Sequence, residues 1–248
     1  MDVTSSMKTQ IPDVIDAMIS QATSPQKDDY LNSVLYGMCK KSPEHTDIGV
    51  IYAKLSIIGR TYAAALERTS KKEKKSNAIF SIAISKIIKD GELDALINKA
   101  RMVKLPTSLE FSNADLEAIS KILAPHAYLS RVLSQAAEIG KVSLSSKYLH
   151  FHLPDLYPIY DKYSRKNISK FTSGIGNKLK YENCDESYAK FFIRCLLLKN
   201  SLMKNHQKKI EHATNRQFTF GEKPHLLTRI STTTLCTPDR AQGGLISD

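Results

Sequence analysis

No stretch of this chain alternates apolar and polar residues with a sustained period of two, so strands are not expected and a sheet-based fold is excluded at the outset. No apolar run approaches the roughly 18–20 residues that a membrane-crossing helix needs, so no membrane partner is expected. No signal peptide precedes the first helical stretch, and a cytoplasmic location follows as the expectation. Cysteine is scarce: Cys39, Cys184, Cys195 and Cys236 stand far apart, with no Cys-x-x-Cys. That spacing excludes a disulfide framework and a thiolate metal cluster, leaving reduced thiols of a cytosolic protein. Tryptophan is absent, which decides nothing. Acidic residues are outnumbered, 25 against 36 Lys and Arg, giving a net charge of +11. A polyanion is therefore the first partner to consider.

What fills the chain is helical spacing, and the fold class read from it is all-α. Apolar stripes predict helices over residues 11–22, 28–40, 47–68, 77–89 and 93–103. Gly59 sits inside the third and weakens it by about 1 kcal/mol relative to alanine. Ser112 and Asp115 open a further helix through Ile122 by side-chain capping, and another runs from Tyr128 to Ile139 and stops at Gly140. Residues 185–203 give a long apolar helix containing Tyr188, Phe191 and Phe192.

These breaks divide the chain into an N-terminal helical lobe (1–110), a second helical lobe (111–217) and a poorly ordered tail (218–248) rich in Thr, Ser and Gly. Lys71-Lys-Glu-Lys-Lys75 reads either as a solvated loop between helices or as a phosphate-contacting one. Gly174-Ile-Gly176 is a glycine turn, by default a solvated loop.

The stretch from Ser143 to Asp161 organises the rest. Leu144, Tyr148 and Phe151 recur at helical spacing, which brings Lys147 close to the buried face of a short helix. Pro154 ends that helix, because its ring nitrogen has no hydrogen to donate. Tyr157 precedes Pro158 and is biased towards extended backbone, which carries the chain to Asp161. Asp161, ahead of Lys162-Tyr-Ser-Arg-Lys-Asn-Ile168, reads as a helix N-cap. One segment thus pairs an amine with a fixed carboxylate.

That pairing resembles the helix-hairpin-helix DNA glycosylases, whose pattern runs Gly-hydrophobic-Gly-x-Lys, an apolar helix, then Pro-Val-Asp at the cap of the next helix. Ser143-Leu-Ser-Ser-Lys147 aligns with the first part, with serines at the hairpin glycines, and Pro158-Ile-Tyr-Asp161 with the second, with Tyr160 as an extra residue. The resemblance covers about residues 130–170 and extends to 8-oxoguanine-glycosylase-like bacterial proteins and short phage-defence glycosylases. It implies a two-lobed helical enzyme, monomeric, with a cleft between lobes, DNA as partner, and excision of a damaged or hypermodified base, the latter as antiviral defence. It assigns Lys147 as the nucleophile on the sugar C1′, with lyase activity if a Schiff base forms, and Asp161 as the charge that stabilises the developing sugar cation. Ser143, Ser145 and Ser146 would contact the DNA backbone. The scattered cysteines leave no place for an iron–sulfur cluster, and no cofactor or metal is implied.

The residues also carry plainer readings. In these, Asp161 is an N-cap and nothing more, worth about 1 kcal/mol, and Lys147 a phosphate contact or a side chain reaching for water. His150 and His152, two apart on a helix, face different directions and do not suit joint metal ligation; one of them near the pocket suits a flipped base or a phosphate. Tyr148, Phe151 and Tyr160 offer aromatic surface for such a base or belong to the core. Arg60, on an apolar helix, reads as an internal ion pair or the opposite wall of a cleft. Lys166, Lys170 and Lys178 concentrate positive charge around the hairpin, as a DNA-binding face would. The alternative to the enzyme is a non-catalytic, basic helical nucleic-acid-binding protein.

Overall fold

A computed structural model describes residues 15–16, 18–20, 29–68, 76–88, 91–172 and 184–215, and among these the regular structure is entirely helical. Residues 15–16 and 18–20 are helical, followed by α1 (Asp29–Lys41), α2 (Ile48–Thr61), α3 (Ser76–Ile88), α4 (Glu92–Arg101), α5 (Asn113–Ala137), α6 (Val142–His152), α7 (Lys162–Phe171) and α8 (Glu186–Asn215). None of them is long and apolar enough to cross a membrane. The expectations for Lys71–Lys75, Gly174–Gly176, Lys178 and the 218–248 tail fall outside the described residues.

Four boundaries differ from the periodicity reading. α2 stops at Thr61 rather than Arg68, because the chain doubles back over Gly59: the Ala64 N–H bonds the Gly59 carbonyl at 2.9 Å, and Ala63 takes a left-handed φ of 51°. A Cβ on Gly59 would lie 3.0 Å from the Ala65 Cα, so only glycine lets the turn close this tightly. The two helices expected at 112–122 and 128–139 are one, α5, running straight through Pro125. Proline at 125 has no N–H to give the Lys121 carbonyl one turn back, and the Lys121 side chain there is exposed. α5 ends at Ala137 with Glu138, not Gly140, in the left-handed conformation. α8 continues past Met203 to Asn215, bending at His206, and buries Ile210 and Ala213.

α5 is the spine, with α3, α4 and α6 packed against it, and α6 also touches α1 and α2. α6 therefore lies in the interior with eight of its eleven residues buried, Leu144 through Phe151. Apolar burial at about 25 cal/mol per Å² is the main force fixing such a helix. One contiguous apolar core runs from Ile15 to Ala213 and spans both lobes expected from the sequence. The expected boundary at residue 110 falls in the loop between α4 and α5. At the far end, Lys209 on α8 pairs with Asp16 at 2.9 Å, an exposed contact worth little by itself.

Candidate active site

α6 begins without a capping side chain, because the ammonium of Lys141 at the N-cap has no lone pair to accept a backbone N–H. Lys141 Nζ donates instead to the carbonyls of Ala65 (2.8 Å) and Arg68 (2.7 Å), closing the turn that follows α2. Burial pushes this amine down to about 8, with Glu67 opposing the shift. Leu153 N–H bonds the Leu149 carbonyl at 2.8 Å, and Pro154 prevents continuation, as expected.

Lys147 lies on α6 at 3 % exposure, and its Nζ donates to Ser143 Oγ at 2.6 Å, one helical turn back. Asp161 caps α7: its carboxylate accepts from the Ser164 N–H at 2.8 Å, while the Asp161 N–H bonds Ser164 Oγ, a reciprocal capping box. The two segments are tied together by Ser146. Its hydroxyl donates to the Ser143 carbonyl (2.9 Å) and accepts from the Tyr160 N–H (3.0 Å). The residues immediately before Lys147 and before Asp161 are thus hydrogen-bonded to each other, which sets the two chain positions side by side.

The serines assigned to DNA contact are helical residues of α6 rather than a hairpin turn. Ser145 and Ser146 are fully buried with their hydroxyls on backbone carbonyls, and Ser143 is half-buried. Tyr148, His150 and Phe151 are enclosed by protein. His150 engages both ring nitrogens, with the Tyr157 carbonyl and the Tyr36 hydroxyl at 2.8 Å each, and Phe151 packs on Tyr36 and Tyr62. Tyr160 lies edge-on to Tyr188 and Phe191, with the Arg165 guanidinium 5.1 Å above its ring. Arg60 is exposed in the last turn of α2, and no described ion pair holds it in the core. On α7, Lys162, Arg165 and Lys166 are exposed beside Asp161, and Lys170 belongs to the same helix. A recess next to the hairpin is lined by Leu105, Leu156, Pro158, Phe192 and Lys199, whose amine burial pushes down while Asp155 opposes.

A second polar cluster, which the periodicity reading missed, stands at the other end of α6. His45, before α2, is held by Asp94 of α4: the carboxylate accepts the His45 N–H at 2.9 Å and Nδ1–H at 2.5 Å. Burial pushes the Asp94 carboxyl up, but the two His45 bonds outweigh it and hold it below its usual value. Lys54 of α2, wholly buried, donates to the Ser42 carbonyl at 2.6 Å and lies 3.4 Å from His152 Nε2. Its amine is pushed down by burial, and His152 is pushed well below 6.5 by burial and by Lys54, His45 and Arg101. The sequence signal was Lys54 itself, set between Ile51, Leu55 and Ile58 on the apolar stripe of α2. Among the described residues no group of three His, Cys, Asp or Glu side chains is placed to hold a metal ion. Comparison of the chain with protein-family models, with curated proteins and with solved structures finds no match.

Proposed function

We propose that the protein is a DNA glycosylase that excises a modified or damaged base, with Lys147 and Asp161 as its catalytic pair, in a two-lobed fold that receives DNA at a cleft between the lobes. The observation that carries this reading is the Tyr160 N–H···Ser146 Oγ bond, which joins the amine-bearing helix to the capped carboxylate. Cleaving the glycosidic bond leaves positive charge on the sugar, and a carboxylate already fixed by the α7 N-terminus meets that charge without reorganising. The departing base takes the bonding electrons, and either the Lys147 amine or a water forms the new bond at C1′. With the amine, the sugar ring opens to a Schiff base and strand cleavage can follow; with water, an abasic site remains.

The net charge of +11 and the exposed Lys162, Arg165 and Lys166 beside Asp161 suit the phosphate backbone. The resemblance in the hairpin stretch points to a bulky modified base of foreign DNA, or to an oxidised or alkylated one. The burial of Lys147 favours one rival, a nucleic-acid-binding protein in which Lys147 and Asp161 only build the hairpin. The deciding experiment incubates the full chain with duplexes carrying oxidised, alkylated or bulky modified bases, beside plain DNA, and then heats in alkali to break abasic sites. Strand breaks at the modified position support excision. Binding without breaks on every substrate assigns the rival.

A further inference from the structure

The hydrogen bonds of the His45 cluster are incomplete in one place. Asp94 takes the His45 main-chain N–H and Nδ1–H, yet His45 Nε2 has no partner although the residue is 2 % exposed. Tyr148, wholly buried on α6, likewise has an unpartnered hydroxyl. The two rings are neighbours, with centroids 5.6 Å apart, and both stack on His152, at 4.9 Å from His45 and 5.1 Å from Tyr148. They do not bond each other directly. An orphaned buried polar group costs about 1–3 kcal/mol, so two of them on neighbouring rings point to a shared third party.

We infer that His45 Nε2 and Tyr148 Oη together form a binding site for one internal water molecule. The chemistry selects water. Because the Asp94 carboxylate takes Nδ1–H, neutral His45 presents a lone pair at Nε2 and asks for a donor, whereas charged His45 asks for an acceptor. The tyrosine hydroxyl can give or take one bond. A small molecule able to do both at each contact satisfies the pair in either state, and buried waters in proteins do so with two to four polar partners. The bridge would complete a chain from half-buried Asp94 through His45 and the water to Tyr148, joining α4 and the segment before α2 to α6. It does not depend on the reaction proposed above, because Tyr148 and His45 are assigned no part in bond cleavage here.

A crystal structure of the full chain, at a resolution that reveals ordered solvent, tests the site directly. The expected result is a density peak about 2.7–3.2 Å from both His45 Nε2 and Tyr148 Oη. No peak between the two atoms, or Tyr148 Oη bonded directly to His45 Nε2, overturns the inference. Tyr148→Phe is the independent solution test, since the ring packing is kept and only the hydroxyl is lost. If that hydroxyl holds a bridging water, the melting temperature falls by about 2–4 °C. If the hydroxyl is an orphan, its removal relieves a penalty, the melting temperature rises, and the water is refuted. Should the variant fail to fold, the density in the parent still decides.

Discussion

The two ends of α6 treat a buried lysine differently. Lys147, near the N-terminal end, donates to a hydroxyl of its own helix, and the chain beside it carries a capped carboxylate. Lys54, on α2 but packed near the C-terminal end of α6, meets a main-chain carbonyl and an imidazole, within the field of Asp94 and Cys39. Both amines are nearly or wholly out of water. Burial therefore does not separate a candidate nucleophile from a structural cation; the partners do. Asp94 is engaged by His45, in a cluster whose members face one another. Asp161 is engaged by the end of a helix whose surface carries exposed cations, where a polyanion has reason to sit.

The sharpest way to break this contrast is Asp161→Asn. The amide still accepts the Ser164 N–H, so the cap and the melting temperature should hold. The negative charge is lost, and removal of such a preorganised group costs about 100- to 1000-fold in rate. Single-turnover excision, read beside DNA affinity and a thermal melt, checks it. Full activity in a folded variant removes Asp161 from the chemistry, and the hairpin becomes no more functional than the His45 cluster.

Asp94→Ala strikes the other region. It leaves the His45 main-chain N–H and ring nitrogen unpaired in the interior, for which a loss of about 1–3 kcal/mol is expected by urea titration. DNA binding should not change, since no exposed cation is touched. A loss of affinity with stability intact would move the nucleic-acid face to this end of the molecule.

Acid should distinguish the regions too. Burial holds His126, whose Nε2 bonds the Val142 carbonyl at the start of α6, at about 3, and His152 lies well below 6.5. Both folded values are depressed, so below about 6.5 the unfolded chain binds more protons than the folded one, and stability falls as the pH drops from there towards about 3. Urea midpoints at pH 7, 6 and 5 measure the slope, and His152→Gln should flatten it. A slope unchanged by that substitution would leave His126 as its source.

These contrasts also explain what could be read from the chain and what could not. α6 was legible because Leu144, Tyr148 and Phe151 keep one face and Pro154 supplies a stop. The Asp161 cap was legible because an N-cap is a local interaction, settled within three residues. Pro125 concealed the continuity of α5, since a proline ordinarily ends a helix and only its setting shows otherwise. The His45–Asp94 pair spans 49 positions and depends on how α4 packs, so no spacing rule reaches it. Tyr148, His150 and Phe151 have the residue types of a base pocket, but whether an aromatic lines a pocket or fills a core depends on what stands opposite. Here that is Tyr36, Tyr62 and His45.

The smallest effect belongs to Lys54→Met, which is set against Lys147→Met. Methionine matches lysine in length and flexibility and fills the same space without a charge. At position 54 the loss is a bond to the Ser42 carbonyl, but the cost of holding an ammonium out of water goes as well, and replacing a buried ion by a well-packed apolar side chain is often close to neutral. Stability should stay within about 1 kcal/mol of the parent, as expected for one neutralised hydrogen bond. Excision should be unchanged, because Lys54 has no part in the proposed site. His152 would lose the ammonium 3.4 Å away that helps hold it neutral, so the acid slope should soften slightly. Lys147→Met, with the same change of shape, should abolish any borohydride-trapped protein–DNA adduct if the amine attacks the sugar, and excision with it. If Lys147→Met excises normally, water is the nucleophile and Lys147 is as structural as Lys54. If Lys54→Met is instead the variant that loses the adduct, the reactive amine lies in the His45 cluster and the assignment of the two ends of α6 must be exchanged.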